Sequence, residues 1–118
     1  MALLNKLLIA SAATSLMFSV ASADADLVKE GEKLFNSKDF GNCLACHDAN
    51  GKKVDGPGSF GPKLAGLSFW DDQLLYDTIY DIYAARGLKI SAMPAFGKNG
   101  QMSDKEIKAV VAYLKTIQ

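Results

Sequence analysis

The pentapeptide Cys43-Leu44-Ala45-Cys46-His47 constrains this chain more than any other feature. Two cysteines at i and i+3 can each add a thiol across a vinyl group of one haem, and a histidine directly after the second falls beneath the iron. The C-x-x-C-H pattern is the one that carries covalent haem attachment. The chain has two cysteines and one histidine, and all three sit here. A structural zinc site needs four ligands drawn mostly from Cys and His, so it has too few to build on. A redox C-x-x-C belongs at the strand-to-helix junction of a βαβ unit, and no convincing strand lies nearby in the sequence. A plain disulfide would explain the cysteines and leave His47 idle. The expected cofactor is therefore one covalently bound haem c, with Cys43 and Cys46 as thioether tethers and His47 as the proximal iron ligand.

The N-terminus fits that chemistry. Lys6 precedes an uncharged apolar and small-residue stretch, Leu7 to Val20, and Ala21-Ser22-Ala23 has the small-x-small form of a cleavage site. The stretch is shorter than the roughly 18 apolar residues of a membrane span and is diluted by serines and Thr14. A cleaved signal peptide over 1–23, a single domain over 24–118 and a periplasmic address are expected, with no membrane span after cleavage. The 13 basic and 13 acidic residues cancel, and losing Lys6 leaves one negative charge in excess. No basic surplus points to nucleic acid or an anionic membrane as partner.

Three amphipathic helices are predicted in the mature chain. The first spans about Asp26 to Asn36, with Leu27, Gly31, Leu34 and Phe35 on one face. Gly31 costs about 1 kcal/mol against alanine in a helix interior, so either something packs very close there or the glycine is merely tolerated. A second spans about Asp71 to Ala84, with Leu74, Leu75, Thr78, Ile79 and Ile82 as its buried face and Asp71 as candidate cap. The last opens on the capping box Ser103-Asp104-Lys105-Glu106. Its apolar stripe is Ile107, Val110, Val111, Leu114 and Ile117. Between Asp48 and Leu67 no period holds. Such a long loop argues against an assignment in an ordinary domain, but loops that wrap a haem bury apolar side chains without forming a layer.

With His47 the sole histidine, the opposite axial ligand comes from Met93, Met102 or a lysine, or the position stays open. Met102 precedes the N-cap Ser103 and faces Ile107, the two positions of a hydrophobic staple. Met93 has no comparable structural duty and is stiffened by Pro94, which restricts the residue before it to extended geometry. Met93 is the expected distal ligand. His/Met ligation raises the potential over a bis-histidine site and fills the sixth position, which favours one-electron transfer over peroxide or gas chemistry.

Cys43-x-x-Cys46-His47, Gly61-Pro62-x-Leu64, Met93-Pro94 and the terminal helix together make the mature chain resemble the class I c-type cytochromes over nearly its full length. That resemblance implies an all-α fold of three main helices and loops wrapped around one covalently bound haem. It implies close crossing of the terminal helices at Gly31 and Phe35 against Tyr113 and Leu114. It also implies a hydrogen bond from the second ring nitrogen of His47 to the Pro62 carbonyl, which would set ring orientation and basicity.

A narrower likeness covers residues 41–47, Ile79-Tyr80-Asp81, Met93 to Gly100 and Glu106 to Leu114. These are similar to the monohaem SoxX subunit of the sulfur-oxidising SoxAX cytochrome. That family pairs the small cytochrome with a larger SoxA subunit as a heterodimer. The complex is an L-cysteine S-thiosulfotransferase, which joins thiosulfate to a carrier cysteine and passes electrons to an acceptor cytochrome. The likeness implies an electron-transfer subunit that is not catalytic alone; the alternative is a free carrier between a periplasmic dehydrogenase and a terminal oxidase. Phe60, Phe69, Trp70 and Phe96 fall in segments expected to wrap the haem, and any left exposed at its edge would form an interface.

Overall fold

The computed structural model describes residues 24–39, 42–49 and 61–118. The expected signal peptide over 1–23, together with Phe60 and most of the unpatterned loop after Asp48, lies outside the described residues. Within them the chain is helical, with no extended strand. Helix α1 covers 24–36. Helix α2 runs Asp72–Tyr80, α3 Ile82–Arg86 and α4 Asp104–Leu114. Short 3-10 turns at Cys43–Ala45 and Leu67–Phe69 punctuate the loops.

Helix α4 forms where its capping box predicts. The Ser103 side chain accepts from Glu106 N at 3.2 Å and Glu106 Oε1 accepts from Ser103 N at 2.9 Å. Every residue of the predicted stripe, Ile107, Val110, Val111, Leu114 and Ile117, is buried. Met102 is buried in the same core, as a staple position requires. Helix α1 crosses α4 at Gly31. A Cβ placed there would lie 2.6 Å from the Ala109 carbonyl carbon and 2.9 Å from Tyr113 Cβ. Close packing, not tolerance, accounts for this glycine. One turn on, the Phe35 and Tyr113 rings meet at 5.3 Å between centroids, tilted by 59°, within the roughly 4.5–7 Å range of aromatic pairs.

The predicted middle helix is corrected in two ways. It breaks at Asp81, which is extended (φ −153°, ψ 92°) and whose side chain accepts from Tyr83 N and Ala84 N to start α3. A short carboxylate competing for backbone donors explains the break. So does a long-range partner: the Tyr80 carbonyl accepts from Gly97 N and Lys98 N, at 3.1 and 3.0 Å. The second correction is Leu74, which is exposed; Leu75 and Ile79 are buried, and Thr78 and Ile82 are partly so.

Helix α2 packs on α3 and α4, and Tyr76 Oη donates to Asp104 Oδ1 at 2.7 Å across the α2–α4 seam. The chain end pins the loop before α2: Leu67 N and Ser68 N both donate to the Ile117 carbonyl, at 3.0 and 3.3 Å. Lys115 Nζ donates to the Trp70 carbonyl and pairs with Asp72 at 3.1 Å.

Candidate haem site

Asn42 adopts the left-handed region (φ 49°, ψ 44°), which asparagine tolerates better than most residues. It turns the chain into the 3-10 turn that holds Cys43. Cys46 closes that turn as its C-cap (φ −120°, ψ −22°). The Cys43 carbonyl accepts from Cys46 N at 3.1 Å and His47 N at 2.9 Å, closing the motif on itself. Residues 61–64 then lie alongside it: Gly61 N donates to the Cys46 carbonyl at 3.0 Å and Leu64 N to the Asp48 carbonyl at 2.8 Å.

That pairing sets the histidine. His47 Nδ1 stands 2.8 Å from the Pro62 carbonyl. A carbonyl can only accept, so Nδ1 carries a proton, and in the neutral ring Nε2 then keeps its lone pair. Gly61 is required at this approach, since a Cβ there would lie 2.6 Å from His47 Nδ1.

Two cavities open beside the motif, of about 410 and 480 Å³. Both are lined by Cys43, His47, Pro62, Ile82, Met93 and Phe96, so they are two lobes of one cleft; Cys46 lines the second. Leu67, Leu75, Ile79, Val110 and Leu114 give the first lobe an apolar wall. The five residues singled out in the sequence, Cys43, Cys46, His47, Pro62 and Met93, are thus brought to one cleft. Burial pushes the Cys43 thiol up to about 11, partly offset by a backbone hydrogen bond and reinforced by nearby Cys46. It is therefore a neutral thiol near pH 7. Among the described residues no cluster of three His, Cys, Asp or Glu could hold a bare metal ion.

The sequence did not single out Arg86. It lines the first lobe and lies over the Trp70 ring, 5.0 Å from its centroid. Its only signal was a basic residue in a last helical turn closed by Gly87, whose φ is 62°. Phe69, expected among the haem-wrapping residues, is instead 92% exposed, whereas Phe96 is buried against the cleft.

The family model described as cytochrome C oxidase, cbb3-type, subunit III matches residues 26–114. The chain belongs to this family of c-type cytochromes. An uncharacterized lipoprotein of Aquifex aeolicus (strain VF5) is 33% identical to this cytochrome over 93 residues, which are 75% of this chain and 44% of that protein. The cytochrome thus spans less than half the length of that relative. The cofactor of this family is a covalently bound haem c with iron. The cleft fits such a group: it is apolar-walled, large, and flanked by a thiol pair, an imidazole of fixed tautomer and a thioether. The match supports a c-type cytochrome and does not extend to the SoxX subunit in particular. Among the described residues no helix is long and apolar enough to cross a membrane.

Proposed function

We propose that this cytochrome is an exported one-electron relay, with Cys43 and Cys46 as haem tethers and His47 and Met93 as the axial pair. The observation that carries this reading is the presence of His47 and Met93 on both lobes of one cleft, with Nδ1 of His47 held by Pro62. When bound, the haem supplies an iron that changes oxidation state by one electron. The chain's residues do the rest. Cys43 and Cys46 would hold the group by thioether bonds, each thiol adding its S–H across one vinyl double bond with no net redox change. Pro62 keeps the proton on Nδ1 and so leaves Nε2 as a donor. Met93 would supply the second iron ligand and so keep oxygen and peroxide from the metal. The apolar wall excludes water and limits the solvent reorganisation that accompanies a change of charge.

The finer reading is the small subunit of a SoxAX-type complex in the periplasm, beside a larger SoxA-like cytochrome. Its support is the sequence likeness at 41–47, 79–81 and 93–100, and two unpartnered apolar side chains, Phe69 and Ile90, at 92% and 89% exposure. With both cysteines committed as tethers, thiosulfate chemistry would belong to the partner. A second reading, electron delivery to a terminal oxidase, is favoured by the match to an oxidase subunit family. Export rests on the leader-like residues 1–23 and on the lipoprotein name of the relative.

Native purification from the source organism, with mass spectrometry of the isolated chain, tests all of this. The expected result is a chain starting at Asp24, heavier by one haem, in tight association with a larger c-type cytochrome. Co-purification with a haem–copper oxidase, or recovery only as a monomer, rejects the SoxAX reading in favour of the second. A chain without added haem mass rejects the relay itself.

A further inference from the structure

The segment that carries Met93 is a thin wall. Met93 lines both lobes of the cleft; Ser91, Ala92 and Pro94 line its second lobe and also a neighbouring hollow of about 430 Å³. Across that hollow stand Asp81, Tyr83 and Lys98. Met93 itself is partly buried and packs against the core, with Ala95 and Phe96 buried beyond it. Polar ties join the same segment to α3. Tyr83 Oη donates to the Ser91 carbonyl at 3.1 Å, and Ser91 Oγ accepts from Met93 N at 3.1 Å. Two hydrogen bonds in series thus join α3 to the Met93 backbone. Asp81 supports both ends. Its Oδ1 caps α3 and so sets where Tyr83 leaves the helix, and its Oδ2 pairs with Lys98 at 3.5 Å beyond the methionine. The Asp81 side chain is only 13% exposed but that of Lys98 is 66% exposed, so solvent screens this pair in part.

We propose that Tyr83 and Asp81 are positioning residues that brace the Met93 segment and hold its thioether where it can ligate the haem iron. The proposal rests on the reading of Met93 as distal ligand. Methionine is flexible and does not fix its own sulfur. Pro94 restricts the chain on one side of Met93, and the Tyr83–Ser91 link supplies the restraint on the other. Neither Tyr83 nor Asp81 touches iron; both act through the loop.

The test is competition by imidazole for the sixth position of the ferric holoprotein, read with the iron–sulfur charge-transfer band. Losing one neutral hydrogen bond from the braced state should tighten imidazole binding about five- to tenfold in Tyr83→Phe, with a weakened band and a lower reduction potential. Asp81→Ala should move the same way, and Asp81→Asn, which keeps the capping oxygen, should restore most of the loss. Tyr76→Phe removes a tyrosine hydroxyl away from the Met93 segment and should leave imidazole affinity unchanged, which separates bracing from general destabilisation. Met93→Ala is measured beside them. If it shifts spectrum and affinity while Tyr83→Phe matches wild type, the brace is overturned and the ligand stands. If Met93→Ala itself matches wild type, ligand and brace fall together.

Discussion

At His47 a neighbouring carbonyl chooses the tautomer, and the choice depends on Gly61 having no side chain, because a Cβ would displace the ring from Pro62. The same economy of single contacts operates at Tyr76 and Asp104. The Tyr76 hydroxyl, donated to Asp104 Oδ1, holds that carboxyl below its ordinary 3.8, helped by Lys108; the tyrosine is pushed above its ordinary 10, chiefly by the same bond. For Asp104 the folded state favours the ionised form. Its contribution is therefore complete above about pH 4 and fades as acid titrates the folded carboxylate. For Tyr76 the folded state favours the neutral form, so its contribution holds below about pH 10 and fades above it. Thermal melts of wild type and Tyr76→Phe across pH should show a difference that is flat through the neutral range and closes at both ends. A gap that persists unchanged at pH 3 would contradict the assignment. Cys43, Cys46 and His47 were legible at this scale as residues of one cleft, because they are the chain's whole cysteine and histidine inventory. Arg86 and Lys63 were not, since each joins the cleft wall only through tertiary placement.

Among the elements, α4 was readable in full because its cap and stripe are local instructions that agree with the packing. The middle helix was misread as continuous because the competing acceptor and donors lie far apart in sequence: the Tyr80 carbonyl serves Gly97 and Lys98 instead of a helical turn. That diversion is functional in consequence, since it anchors the segment after Met93 to the end of α2. Gly97 permits the anchor; a Cβ there would lie 2.7 Å from Tyr80 Cγ. The crossing of α1 and α4 gives a prediction whose sign is diagnostic. Helix propensity alone says that Gly31→Ala should stabilise by about 1 kcal/mol. The crossing says the reverse, because the added methyl meets the Ala109 backbone, which cannot turn aside as a side-chain tip could. Gly31→Ala is expected to destabilise the holoprotein by about 1–3 kcal/mol, the usual range for overpacking, in denaturant titration. A variant more stable than wild type would mean that the helices do not cross there.

For the whole molecule, the unpatterned loops and the cleft are one problem. The described core is largely α4 and what lies on it, and the segments at 61–70 and 87–102 wall a space that protein atoms do not fill. Its walls are apolar side chains, which gain from burial against an apolar group and lose when left to water. A bound haem would cover them and so join the core, and the sequence could announce the group without saying which loop closes which wall. The chain made free of haem should therefore lose cooperative unfolding: reduced helical circular dichroism, no near-ultraviolet signal, and binding of a hydrophobic dye. The haem-loaded chain should melt in one sharp transition. A haem-free chain that melts sharply, within about 8 °C of the loaded one, would limit the haem's contribution to about 1 kcal/mol. The described core would then be sufficient by itself, and the loops would hold their shape for some reason other than the group they surround.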